Sequence, residues 1–227
     1  ITWAQWKLFL EAKDGYQNPA WWKDLHADGI KQQQGGAGEQ RFKFDNHPAE
    51  NVSWYDGMAF CCWLDVRWKA GEIKLPITVP SGYVLRMPLE TEWEKAASWD
   101  AKSKKAREYP WDDGYKVGYA NINEIANKVG SHYLRTTTAV GIYPQGVSPC
   151  GVLDMSGNVW EWCLNEYEGG QTNMGSNKTR GLRGGSWFAH FRARAAFRDQ
   201  YDPLARNNYS GFRIVVAPVS LGSSSDH

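Results

Sequence analysis

The chain has 227 residues and a formal net charge of +1, from 26 basic and 25 acidic side chains, which argues against a dedicated binder of nucleic acid or of an acidic membrane. The longest unbroken apolar run, Met58 to Leu64, is too short to span a bilayer. Aromatic residues make up 14% of the chain and 13 residues are Trp, which excludes a disordered protein and, with 23 Gly, favours a turn-rich fold held by large flat side chains.

The first element predicted is a helix at the start of the chain. Thr2 and Gln5 are spaced as a capping box, and the apolar face that follows predicts a helix to about Lys13. Residues 15–50 show no sustained apolar period. Within them, the Gln- and Gly-rich run 32–38 is expected to be a flexible surface loop, and its glycines match no phosphate-binding pattern.

Two further helices are predicted from their first residues. Ser53 is placed to cap a helix over residues 54–68, which is apolar almost all round in its middle and is therefore expected to be buried at the centre. Pro88 opens a third helix, from Leu89 to about Ser98. The three carboxylates near its start point in different directions at helical spacing, so solvated or capping roles are expected rather than acid-base chemistry; they are Glu90, Glu92 and Glu94.

The second half of the chain is rich in turns. Short strands are predicted around residues 140–143, 181–186 and 211–217. No linker or internal repeat interrupts the chain, so residues 1–218 are expected to form one domain. Residues 219–227 are expected to be a disordered tail.

The four cysteines show no CxxC spacing, which argues against a zinc knuckle or a thioredoxin-like pair. They do not form a disulfide pattern, so reduced structural thiols and a cytoplasmic location are favoured. A cell-surface location stays open, because the first residue is Ile and a removed signal peptide would leave no trace.

Five short blocks then occur in order along the chain: Asn51–Asp56, Arg86–Glu94, Gly151–Trp162 with its Gly-Asn-x-Trp-Glu-Trp run, Arg183–Trp187 and Gly211–Arg213. Together they resemble the formylglycine-generating-enzyme (sulfatase-modifying factor) family. The resemblance implies an α+β C-type lectin-like fold of the formylglycine-generating-enzyme subtype, irregular, with short strands and two or three helices. One departure is Leu89, where that family usually has a helix-capping Thr.

The resemblance alone does not decide between enzyme and non-enzyme, because the family contains both. Its copper enzymes carry two cysteines shortly after Gly-Gly-Ser. Here Ala189 stands at the first of those positions and no cysteine follows Cys163, so a soft thiolate copper site is not expected. The five histidines show no metal-ligand spacing, which argues against the His-rich iron site of the sulfoxide-synthase branch. No catalytic cofactor is expected; the alternative is a copper-dependent formylglycine-generating enzyme or a related oxidase.

Residues 183–213 are also similar to the variable region of proteins diversified by a retroelement that mutates adenines. That resemblance divides the segment into a fixed framework and interleaved variable positions. The framework consists of 183–187, Arg192, Arg194, Arg198, Pro203, Arg206 and 211–213. The variable positions, which are the predicted ligand-binding residues, are Phe188, Ala189, His190, Phe191, Phe197, Asp199, Tyr201, Asp202, Ala205, Asn207, Asn208 and Tyr209.

The residue types in this segment independently favour a binding surface. Tyr, Trp and Arg are enriched at binding hot spots, and Tyr gives a large contact area at low entropic cost. A protein ligand is therefore expected, and nucleic acid is not, because Asp199 and Asp202 lie within the segment. The alternative is that the aromatic residues are core, as is expected for Trp187 and Phe212. A further alternative is a regulatory or sensor domain of a larger multidomain chain.

The resemblance finally implies one structural calcium site. Its ligands would be the side chains of Asp154 and Glu161 and the carbonyl groups of Gly157 and Val159, all hard oxygen donors. The alternative is that the two carboxylates only cap turns. A Glu-Pro-Asn motif is absent from the chain, so calcium-bridged sugar binding is not expected.

Overall fold

The computed structural model describes residues 1–188 and 192–219. Within these ranges the helices are α1 (Trp3–Glu11), α2 (Ala27–Gln34), α3 (Trp54–Lys69), α4 (Glu90–Ser98) and α5 (Glu124–Asn127). The strands are β1 (Tyr83–Arg86), β2 (Trp99–Asp100), β3 (Lys105–Ala106), β4 (Trp160–Glu166), β5 (Arg180–Arg183), β6 (Arg198–Tyr201), β7 (Ser210–Phe212) and β8 (Val215–Pro218). None of the helices in these ranges combines the length and the apolar character needed to cross a bilayer.

The three predicted helices lie within about two residues of where they were expected, as α1, α3 and α4. The Thr2 hydroxyl accepts a bond from the Gln5 N–H, and the Gln5 side chain returns to the Thr2 N–H, which starts α1. Ser53 and Asp56 make the same reciprocal pair at the start of α3. The first half of α3 is buried almost continuously, as its unbroken apolar character predicts.

Three local predictions were wrong. Residues 32–34 belong to helix α2 rather than to a loop, because Gln33 is buried and donates to the carbonyls of Tyr16 and Gln17, a role that apolar periodicity does not register. The segment 140–143 forms a turn with Gly141 at φ +79°, where a strand was expected. The expected count of two or three helices was also too low, since α2 and α5 are short and polar.

A four-stranded sheet in the order β6-β5-β4-β7 holds the C-terminal segment. β4 pairs antiparallel with β5 and parallel with β7, and β5 pairs antiparallel with β6. Every residue of β4 is buried, so this strand lacks the alternating pattern that would have predicted it. Three of the four strands in the sheet therefore come from residues 180–212.

The core that supports this sheet is aromatic. Trp6 of α1, Phe60 of α3 and Phe212 of β7 lie with ring centroids 5.4 to 6.1 Å apart. All three side chains are buried, as is Trp162 of β4. Edge and tilted ring contacts of this kind add stability beyond the area they bury. Phe212 is a core residue, as expected.

Candidate recognition surface

The framework arginine Arg206 is bonded to the centre of the fold. Its guanidinium donates to both carboxylate oxygens of Asp56 at 2.8 Å. It also donates to the Tyr16 hydroxyl at 3.0 Å and to the carbonyl of Gly36 at 2.9 Å. Asp56 is fully buried, and the charge-assisted fork is the geometry that stabilises a buried carboxylate. Arg206 thereby fixes the chain beside the variable positions to α3.

Two further framework arginines converge on helix α4. Arg183 is fully buried, contacts the Glu94 carboxylate and donates to the Ala195 carbonyl at 3.0 Å. Arg198 donates to Glu90, with one N–O distance of 2.8 Å. Glu90 is only 5% exposed. The expectation of a solvated or capping role was therefore wrong for Glu90, which is buried and receives Arg198 from 108 positions later in the chain. It holds in part for Glu94, whose side chain stays 43% exposed while it pairs with Arg183.

Helix α4 keeps the third glutamate in a capping role. Glu92 accepts the Leu89 N–H at 2.8 Å and pairs with Arg86 at 2.7 and 2.8 Å. Burial works against the charged form, but the bonds from Arg86 and the Leu89 N–H outweigh it and lower the pKa of Glu92. Because Glu92 caps the helix, Leu89 can stand at the N-cap without a capping side chain of its own.

Trp187 is buried and is hydrogen-bonded to residues on both sides of it. Its backbone N–H donates to the Asn158 carbonyl at 2.9 Å, and its indole N–H donates to the Asn208 carbonyl at 3.2 Å. The side chain is 5% exposed, so the expectation that it is core holds. Its ring contacts Phe188 at a centroid distance of 5.7 Å.

The described variable positions are exposed or half-buried, and four of them also pack against the core: Phe197, Tyr201, Ala205 and Tyr209. Phe188 is 52% exposed, and its ring stacks on Tyr209 at 6.0 Å. The Tyr209 hydroxyl is bonded to Tyr201, and burial together with that bond raises the pKa of Tyr209 to about 12. Half-buried variable positions are Phe197, Asp199, Tyr201, Ala205, Asn207, Asn208 and Tyr209, and Asp202 is exposed. Ala189, His190 and Phe191 lie outside the described residues.

Two framework arginines sit at the surface instead of in the interior. Arg192 pairs with the variable residue Asp199 at 2.8 Å, and Arg194 pairs with Glu108 at 2.7 Å. Both guanidinium side chains are about half exposed. These exposed pairs are weak contributors to stability, so Arg192 and Arg194 are available to the surface as well as to the frame.

Sequence reasoning missed two aromatic residues beside the variable positions. Phe42 contacts the Trp187 ring edge-on at 5.8 Å, and Tyr133 stacks on it at 6.4 Å. The nearest hint in the sequence is that each has an arginine close by, Arg41 and Arg135, but nothing local indicates that the two loops meet at Trp187.

The residues implied as calcium ligands lie close to an arginine. Glu161 accepts from the Arg213 guanidinium, with one distance of 2.8 Å, and from the Trp93 indole N–H at 2.6 Å. Asp154 accepts the Gly141 N–H at 2.7 Å. Since the Glu161 oxygens are already bonded, this donor set does not fit a calcium ion while Arg213 holds Glu161. Calcium binding stays a prediction that requires Arg213 to move.

The four cysteines are the groups on which a copper site would depend. All four are free thiols, and Cys61 and Cys163 are buried. Burial raises the pKa of Cys163 well above its usual value, which disfavours the thiolate that copper requires. Across residues 1–188 and 192–219, no three His, Cys, Asp or Glu side chains are grouped to hold a metal ion.

Comparison with known proteins gives relatives along nearly the whole chain. The model of the sulfatase-modifying factor enzyme 1-like domain matches residues 1–218. Hercynine oxygenase of Mycolicibacterium thermoresistibile is 29% identical over 94% of this chain and 48% of its own length. Inactive C-alpha-formylglycine-generating enzyme 2 of Bos taurus is 28% identical over 91% of this chain and 62% of its own length. The chain thus spans about half the length of the hercynine oxygenase.

Among solved structures, Treponema denticola variable protein 1 superimposes with a TM-score of 0.61. The match covers 96% of this chain and 82% of that protein at 21% sequence identity. At this identity the likeness concerns the fold alone.

Proposed function

The chain belongs to the sulfatase-modifying factor enzyme 1-like domain family, and we propose that it is a non-catalytic member whose residues 183–213 display a recognition surface for a protein ligand. Its fold is the α+β C-type lectin-like fold of the formylglycine-generating-enzyme subtype, as the sequence predicted. That fold carries both enzymes and inactive proteins among the relatives, so the function has to be argued from the surface.

One observation carries the proposal: part of the framework of residues 183–213 is bonded into the fold, whereas none of the described variable positions is fully buried. The buried framework residues are Arg183, Trp187 and Phe212. Arg206 donates hydrogen bonds to the buried Asp56 carboxylate. The variable positions among the described residues are exposed or half-buried, without exception. A frame of this kind tolerates replacement of exposed side chains such as Phe188. The half-buried residues Phe197, Tyr201, Ala205 and Tyr209 also pack against the core, so their replacement is expected to cost more.

The chemistry of the displayed positions supports a protein ligand. The stacked pair Phe188 and Tyr209 adjoins Tyr201, which gives a rigid aromatic patch with hydroxyl groups at its edge. Such residues supply large contact areas at low entropic cost. The nine described variable positions provide part of a standard interface of roughly 800 Å² per partner.

We further propose that this segment is diversified by a retroelement. Support comes from the framework pattern of residues 183–213 and from the fold shared with a protein named as variable. Asn207 and Asn208 carry the residue expected of an unmutated template position. The flanking DNA tests this directly: a near-copy of the codons for 183–213 that differs only at adenines is expected, beside a reverse transcriptase gene. Differences spread over all four bases would contradict the proposal.

The recognition surface is tested with a combinatorial library. Positions 188, 199, 201, 205 and 207–209 are randomised together, and folded members are counted by thermal unfolding. We expect more of these members to fold, and to unfold near the parent temperature, than in a library of framework positions, because none of these side chains is fully buried. As a matched control, the same number of framework positions is randomised, which should leave few folded members. Equal losses in both libraries would contradict the proposal.

Enzymatic activity is the alternative, since formylglycine-generating enzymes and hercynine oxygenases are relatives. The absence of any cysteine after Cys163 and the burial of Cys163 itself argue against a copper site. Incubation with copper(I), oxygen and a cysteine-containing sulfatase-type peptide is expected to give no formylglycine by mass spectrometry. Product formation would replace the binding proposal with the enzymatic one.

A further inference from the structure

The aromatic surface around Trp187 extends beyond residues 183–213. Two loops, residues 41–47 and 130–136, meet it and are called here the flanking loops. Phe42 of the first lies 5.8 Å from the Trp187 ring, and Tyr133 of the second lies 6.4 Å from the same ring. Trp187 in turn contacts Phe188, which stacks on Tyr209. The two loops therefore continue the aromatic patch of the variable positions.

Each flanking loop carries an exposed arginine over its aromatic ring. The Arg41 guanidinium lies 5.2 Å from the Phe42 centroid, and that of Arg135 lies 5.4 Å from the Tyr133 centroid. Within the part of the chain that the structure describes, neither guanidinium has a carboxylate oxygen within 4.0 Å. Arg135 holds its position with φ at +60°, a backbone conformation that non-glycine residues adopt infrequently.

A buried glutamate anchors each flanking loop. Glu50 accepts the backbone N–H groups of Arg41 and Phe42, the latter at 3.0 Å. Glu124 accepts the His132 N–H at 3.1 Å and the His132 ring nitrogen at 2.8 Å. Both glutamates are 0% exposed. The loops are thus ordered before any ligand binds, which lowers the entropic cost of binding.

The two loops are also joined to each other and to Trp187. The His47 ring nitrogen lies 2.8 Å from the Thr137 hydroxyl, just beyond the second loop. Asn121 donates to the Thr136 carbonyl at 2.9 Å and accepts the Asn158 N–H at 2.9 Å. Asn158 is the residue that accepts the Trp187 N–H. One hydrogen-bonded network therefore positions both flanking loops next to residues 183–213.

We propose that the recognition surface is composite, and that Arg41–Phe42 and Tyr133–Arg135 contact the ligand alongside the variable residues. The partner that fits is a protein loop bearing acidic side chains next to an apolar one. The guanidinium groups of Arg41 and Arg135 are exposed and, among the described residues, have no carboxylate within 4.0 Å, so they supply charge complementarity for the ligand's carboxylates. The rings accept the apolar side chain. This inference rests on the proposed function, and it assigns a constant acidic preference to a surface whose other residues vary.

The test uses a displayed library of random dodecapeptides, selected on the purified chain. We expect enriched peptides to carry Asp or Glu beside a large apolar residue. Their affinity should fall about tenfold in the double variant Arg41→Ala/Arg135→Ala. The matched control, Lys74→Ala/Lys102→Ala, removes two exposed cations outside the flanking loops and should bind within about twofold of the parent. Equal unfolding temperatures establish that the variants are folded.

A charge reversal gives a second readout. The variant Arg41→Glu/Arg135→Glu, selected afresh on the same library, should enrich Lys and Arg in place of Asp and Glu. An unchanged acidic preference, unchanged affinity in the alanine variant, or failure to enrich any peptide overturns this inference.

The proposed function fails by a different result. If Phe188→Ala/Tyr209→Ala abolishes peptide binding while Arg41→Ala/Arg135→Ala has no effect, the flanking loops are not part of the binding site but the recognition surface is supported. If all of these variants bind the peptides as well as the parent does, the proposed recognition surface is contradicted as well.

Discussion

The clearest test of the frame is to remove the framework arginine Arg206. Replacement by Met in Arg206→Met keeps much of the side-chain volume but leaves the Asp56 carboxylate inside the fold without its cation. In the parent, two bonds of 2.8 Å join the guanidinium to that carboxylate. Among the described residues, the variant keeps two donors to the Asp56 carboxylate: the Tyr16 hydroxyl at 2.9 Å and the backbone N–H of Ser53, the N-cap of α3, at 2.8 Å.

The size of the effect follows from this geometry. Breaking a buried ion pair by deleting one partner costs about 3–5 kcal/mol, because a charge is left buried and unpaired. The Arg206 side chain is 20% exposed, so water reaches part of the site and we expect about 3 kcal/mol. For a domain of this size that corresponds to a fall in Tm of about 6–12 °C.

Urea unfolding followed by tryptophan fluorescence measures the loss. Phe188→Ala, in the same segment but at a displayed position, is the control and should cost less than about 1 kcal/mol. Adding Asp56→Asn to Arg206→Met removes the stranded charge and should restore part of the stability, with a coupling of about 1 kcal/mol or more. A loss below about 1 kcal/mol in Arg206→Met, or equal losses at Arg206 and Phe188, would refute the division into frame and displayed residues.

Three further predictions concern other parts of the molecule. Burial opposes ionisation of the Glu124 carboxyl, but hydrogen bonds from the Gly118 N–H and the Tyr115 hydroxyl outweigh this effect and lower the pKa of Glu124. The stability that ionised Glu124 contributes is therefore present above the unfolded carboxyl pKa of about 4.3 and is lost as pH falls through the folded pKa. Hydrogen exchange in residues 116–132 should therefore speed up on acidification, after correction for intrinsic rates, and Glu124→Gln should remove that dependence; an unchanged dependence would contradict the assignment. Gly157→Ala should lower the free energy of unfolding in urea by about 2 kcal/mol or more, because φ is +78° and a Cβ would lie 2.4 Å from the Asn121 carbonyl oxygen. A loss within about 0.5 kcal/mol would contradict this prediction. Calcium should raise the Tm of Arg213→Ala more than that of the parent, since the variant frees Glu161; equal shifts would mean that Arg213 does not compete for the site.

Helices with capping residues were the most predictable part of the fold. Thr2 and Ser53 start helices through bonds to residues three positions away, so the information is local and visible in the sequence. Strand β4 and helix α2 were missed for opposite reasons. β4 is buried on both faces and shows no alternation, while α2 buries polar groups such as Gln33 instead of an apolar stripe.

The candidate surface could be predicted as a segment but not as an assembly. The resemblance of residues 183–213 to diversified proteins separates framework from variable positions. The structure agrees for two neighbours, since Trp187 is buried and Phe188 is exposed. The partners of the framework could not be inferred, because Arg198 meets Glu90 across 108 positions of sequence. The flanking loops were missed for the same reason, since only the folded chain brings Phe42 to Trp187.

The long sequence separation of these anchors also bears on how the chain folds. Arg206 meets Asp56 across 150 positions, and Arg183 meets Glu94 across 89. Contacts of such high order close late, because chain entropy must be lost before they form. Residues 183–213 would then dock onto partners that are already assembled, and a substitution at a displayed position should alter the unfolding rate more than the folding rate. Replacement of the displayed side chains would then leave the nucleation step of folding unchanged.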